Sequence, residues 1–115
     1  MTDAVGNAAV EHLIRDLQRL HDGLARWSPT RWAGLSADGR TRGDVLFALV
    51  GNLAMLAERA GCGAPAELAP RRLDAHALPD QLIVVGGELV AAPRVLAVAA
   101  AAEQALSSAH QLLLS

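Results

Sequence analysis

The sequence predicts an all-α protein, a single domain over residues 1–115 folded as an up-down-up-down four-helix bundle. Three observations lead there. Alanine and leucine dominate, and all ten basic residues are arginine, so strong helix formers fill the chain. Tyrosine is absent, and there are only one phenylalanine and two tryptophans, which leaves few residues that strands favour. Apolar residues recur at spacings of three and four over long stretches, the period of an amphipathic helix.

The first predicted helix covers 3–27, with Val10, Leu13, Leu17, Leu20, Leu24 and Trp27 as its apolar stripe and Thr2 placed to cap it. Ser28-Pro29 stops it, and Pro29 opens a short turn carrying Trp32. After a turn-rich loop at 33–40, Thr41 and Asp44 form the signature of a capping box for a helix over 42–60. Val45, Leu46, Leu49, Leu53, Leu56 and Ala60 line one side of that helix. Phe47, Val50 and Ala54 make it apolar on the other, the pattern of a helix buried on two sides. Gly61-Cys62-Gly63 ends it, and the longest connection, over 61–78, follows with a short turn at Glu67-Leu68. Pro79-Asp80 suits the first turn of a third helix. The segment QLIVVGGELVAA can also be drawn as a hairpin about Gly86-Gly87, but it would have no sheet to join, so a helix is expected. The last helix, 94–114, carries Val95, Val98, Ala99, Ala102, Ala105, Leu106, Ala109, Leu112 and Leu113 on its inner stripe.

Composition excludes several functions. A formal charge of −2 and the small Arg71-Arg72 patch do not suit nucleic acid. Residues 1–12 show no signal segment, and Glu88, Pro93 and Arg94 interrupt the one long apolar run, Leu82–Ala102, so no membrane span is expected and the cytosol is the expected compartment. One cysteine makes no intramolecular disulfide. Arginine in place of lysine and the alanine bias fit coding by a GC-rich bacterial genome.

Candidate chemical groups are sparse. His12, His21, His76 and His110 include no pair three or four apart, so no helix offers a two-histidine metal face. Cys62 follows a helix C-terminus, where a thiol is not activated. Arg40 and Arg42 flank a helix start where an anion could bind, although a capped start with two solvated arginines is the simpler reading. Asp74 and His76 lack a nearby nucleophile and read as a loop or cap feature. Asn52 stands mid-helix, either fixing register across the bundle or facing solvent.

Three stretches, WSPTRW, GRTRGDVLFALVGNLAML and LPDQLIVVGGELVAAPRVL, resemble the DinB-like bundle, in particular the N-terminal domain of mycothiol-dependent maleylpyruvate isomerases of actinobacteria. The resemblance implies helix over 80–91. In that family a metal, commonly zinc, is held by a histidine on the second helix and by a glutamate and a histidine on the third. The matching positions here are Ala48, Gln81 and Val85. Alanine and valine cannot coordinate, and glutamine is a poor zinc ligand. The resemblance therefore implies a bundle without the family's metal chemistry; it is also shorter than the family's domain and without the second domain of the full isomerases.

No catalytic, cofactor-binding or metal-ligating residue is expected. The expected function is a non-catalytic module that forms a homodimer or binds a protein partner, because the second half is unusually apolar: from Val95 to Ser115 only Glu103 is charged. The alternatives are a DinB-like metal- or thiol-dependent transferase or isomerase, resting on the resemblance, and a small-molecule-binding bundle with a pocket near Trp27, Trp32 and Asn52.

Overall fold

The computed structural model describes residues 3–61 and 74–114. Among these, the chain forms five α-helices: α1 (Asp3–Leu24), α2 (Pro29–Ala33), α3 (Arg42–Arg59), α4 (Leu78–Ala91) and α5 (Val95–Leu113). A 3-10 turn, Ala75–Ala77, leads into α4. No strand occurs among the described residues; Leu35 and Thr41 form one isolated antiparallel bridge. The segment open to a hairpin reading is helical. Thr2, Cys62, Gly63, the Glu67-Leu68 turn and Arg71-Arg72 lie outside the described residues.

Local chemistry sets the helix ends. α1 stops at Leu24 rather than Trp27, because the Trp27 N–H turns back onto the Leu24 carbonyl at 3.1 Å. Ser28 caps α2, its Oγ accepting from the Arg31 N–H at 3.3 Å, and Pro29 occupies the first turn, where its missing N–H costs nothing. Thr41 Oγ1 accepts from the Asp44 N–H at 3.1 Å and caps α3. Gly61, at φ +91°, closes the far end of α3 in a left-handed turn. Arg94 binds there as well: its backbone N–H donates to the Ala60 carbonyl at 2.9 Å and its Nη2 to the Arg59 carbonyl at 3.1 Å. A guanidinium there meets the negative end of the helix.

The four long helices form a bundle in which α4 and α5 each pack on both α1 and α3, with α1 and α3 diagonal. His21 meets Asp80, and Leu17 meets Gly86, so α1 and α4 run antiparallel. His12 lies by Glu103, and Leu20 shares a cleft with Leu106 and His110, so α1 and α5 run parallel. Arg94 joins the start of α5 to the end of α3, and α3 therefore runs alongside α4 in the same direction. The order is up-down-down-up, not the expected up-down-up-down. That expectation assumed that sequential helices return on each other. A residue of extended chain spans up to about 3.3 Å, so the connection from Arg59 to Leu78 can return along the whole of α3, which is about 27 Å long for its 18 residues.

The core contains the predicted stripes. Leu13, Leu17, Leu20 and Leu24 of α1 are buried, as are Leu46, Leu49, Val50 and Leu53 of α3. They meet Leu78, Leu82, Val85 and Leu89 of α4, and Ala102, Leu106, Ala109 and Leu113 of α5. Val50 is buried along with Leu46, as expected for a helix covered on two sides. No helix of the described residues is long and apolar enough to cross a membrane.

Gly86 and Gly87 test this packing side by side. A Cβ on Gly86 would sit 2.8 Å from Leu17 Cδ1, whereas one on Gly87 meets nothing within 4 Å. Gly87→Ala is expected to raise stability by about 0.5–1 kcal/mol, the helix-propensity gain. Gly86→Ala is expected to lower it by about 1–3 kcal/mol through overpacking of Leu17. Urea denaturation followed by circular dichroism checks the opposite signs.

Candidate functional site

Residues four apart on a helix share a face, and α1 uses this to bring His12 and Asp16 together toward α5. His12 Nε2 lies 3.3 Å from Asp16 Oδ2 and 3.9 Å from Glu103 Oε2. One donor atom from each of the three residues fits within 4.8 Å of the others. Glu103 is the lone charged side chain of α5, set among alanines. Burial pushes its carboxyl above the usual glutamate range, and the Asp16 carboxylate beside it pushes the same way; His12 pulls back. Its Oε1 is buried and meets no hydrogen-bond donor among the described residues. One turn further along the seam, Asp16, Arg19, Leu20, Leu106, Ser107 and His110 line a cleft of about 160 Å³.

A second surface runs between α3 and α5. Ala48, Asn52, Ala101, Ala105 and Ser108 line a shallow groove of about 400 Å³, and Met55 stands at its edge with 55% of its surface exposed. Asn52 is exposed here, so its solvent-facing alternative holds.

A third lies where α2 meets the start of α3. Trp27 and Trp32 stand 4.9 Å apart at a tilt of 55°, with the Arg31 guanidinium 4.3 Å and that of Arg42 5.9 Å from the Trp27 ring. The two tryptophans border a cleft of about 320 Å³ with Thr41, Ala75 and His76. Asn52 opens onto the α3–α5 groove instead, so the pocket expected from Trp27, Trp32 and Asn52 together is not formed.

Arg40 and Arg42 do not converge on an anion. Arg40 pairs with Asp38 at 2.6 Å, which holds the Asp38 carboxyl well below the usual carboxylate range, and Arg42 donates to the Arg31 carbonyl at 3.2 Å. Asp74 precedes the 3-10 turn and makes no side-chain cap. Of the positions matched to the family's metal ligands, Ala48 lines the α3–α5 groove, Val85 is in the core and Gln81 is half-buried on α4. These residues do not fit a zinc ion. Histidine–histidine spacing does not reveal the trio His12, Asp16 and Glu103, which holds a single histidine. The i, i+4 pair His12–Asp16 and the isolated Glu103 were the available signals.

A scan against protein-family models finds no match, and no curated protein and no solved structure matches the chain significantly.

His21 ties α1 to α4. Its Nε2 lies 3.0 Å from Asp80 Oδ1 and its Nδ1 3.2 Å from Asp22 Oδ1. The Asp80 hydrogen bond raises the imidazole pKa above 6.5, burial opposes the rise, and Asp22 adds to it. A raised folded-state pKa gives stability that is fully present below 6.5 and is lost as the pH climbs through the raised value. Melting temperature is expected to fall across that window, and Asp80→Asn is expected to flatten the slope. Thermal melts at steps from about pH 5.5 to about pH 8.5 check this.

Proposed function

We propose that the protein is a non-enzymatic interaction module that pairs with a second copy of itself across the α3–α5 groove. The observation that carries this reading is Met55, more than half exposed at the edge of a groove floored by Ala48, Ala101 and Ala105. Knob and hole lie on one face, which is what a two-fold, isologous interface needs: each Met55 enters the partner's groove while receiving the partner's. Methionine suits this role because its unbranched side chain fills irregular gaps. The DinB-like resemblance agrees in one respect: Ala48 stands where that family places a histidine ligand, and the small side chain leaves the groove open.

Static light scattering tests the reading. The chain is expected at twice its 12.0 kDa mass at concentrations of about 100 μM. Met55→Glu is expected to give the single-chain mass, because a buried unpaired carboxylate is costly. Val84→Glu, on α4 and outside the groove, is expected to leave the mass unchanged. A wild-type protein that runs at 12.0 kDa throughout this range overturns the proposal.

A further inference from the structure

We propose that His12, Asp16 and Glu103 bind one divalent transition-metal ion, zinc by preference, at the seam of α1 and α5, with one coordination position left to water. This site is separate from the α3–α5 groove, and neither depends on the other.

The distances fit such an ion. Zinc holds nitrogen and oxygen donors at about 2.0–2.2 Å in a tetrahedron, which sets donor–donor edges of about 3.3–3.6 Å. His12 Nε2 already lies 3.3 Å from Asp16 Oδ2 and 3.9 Å from Glu103 Oε2. The widest separation allowed within the trio, 4.8 Å, closes by side-chain rotation. His12 has the freedom to turn, since its side chain is 63% exposed. One imidazole with two carboxylates suits zinc or manganese, whereas magnesium and calcium favour oxygen donors alone.

The electrostatics ask for a cation. Two carboxylates face each other across the seam, and among the described residues no arginine pairs with either. Arg19 lines the adjoining cleft together with Asp16 and forms no ion pair with it. Glu103 Oε1 is buried without a donor among the described residues, so it lacks the partner that a buried polar atom ordinarily has. A proton meets this demand in part. A divalent ion meets it fully, by neutralising both acids and taking the His12 lone pair. Three protein ligands leave a fourth position, and the cleft beside Asp16, with Arg19, Ser107 and His110 on its walls, supplies room for water there.

Binding competes with protons, because the ion needs a neutral His12 and ionised carboxylates. Affinity therefore falls as pH falls. The groups facing the trio are its own three side chains, with Arg19 and His110 further along the seam.

The test is calorimetric titration of the chelator-treated full chain with zinc chloride, together with thermal melts. One ion per chain is expected, with a rise in melting temperature that shrinks as the pH is lowered. His12→Ala and Glu103→Gln are each expected to weaken binding by about 10-fold or more. Glu103→Gln removes the repulsion with Asp16 yet keeps the shape, so the metal-free variant is expected to melt at or above the wild type while losing the zinc-dependent rise. A purely structural Glu103 would not separate the two. Cys62→Ser and His76→Ala are expected to bind as the wild type does. The proposal is overturned by the absence of saturable binding, by binding that survives both His12→Ala and Glu103→Gln, or by binding that disappears with Cys62 or His76.

Discussion

The bundle rests on α4 and α5 each covering α1 and α3 at once. Because α1 and α3 lie diagonal, neither can bury its stripe on the other, and the two C-terminal helices must present apolar surface in two directions. That requirement accounts for most of the hydrophobicity of the second half of the chain. Leu82, Val85 and Leu89 face inward on α4, and Ala99, Ala102, Leu106 and Ala109 do so on α5. It also accounts for the small residues. At Gly86 the Leu17 side chain lies against the backbone of α4, closer than any Cβ would permit.

This division sharpens what the surplus apolar surface means. A charge-poor C-terminal half suggests a sticky surface when read along the chain. In the fold, much of it is core, and the large apolar side chains it leaves outside are Ile83, Val84, Leu96 and Leu114, with Met55 of α3 besides. Ile83 and Val84 lie on α4, away from the α3–α5 groove. Met55 projects beside a line of alanines, so it is the one member of the set with a complementary hollow on its own face. The case for self-association rests on that complementarity and not on the hydropathy of the segment.

Helices were readable because each is amphipathic over many turns. The stripes Leu13–Leu24 and Val45–Leu56 name their buried residues almost without error, and Thr41 and Ser28 mark helix starts through side-chain oxygens whose role depends only on near neighbours. Trp27 was misplaced at the end of α1, since a stripe continues past a helix whose last hydrogen bond has already been made. Helix direction was not readable. It is decided by where Arg94 docks, on the Arg59 and Ala60 carbonyls, and by His21 reaching Asp80, two contacts between distant segments with no local signature.

The carboxylate pair has the same origin. His12 and Asp16 are neighbours by helical period and belong to α1 alone, but Glu103 joins them through the packing of α5 on α1, a tertiary contact with no local signature. The packing thus places the one charge of α5 beside an acid that repels it and a histidine that opposes the repulsion. An arginine at Ser107, which shares a cleft with Asp16, would have relieved that repulsion within the chain. The sequence has serine there, so His12 is the basic side chain that stands beside both acids.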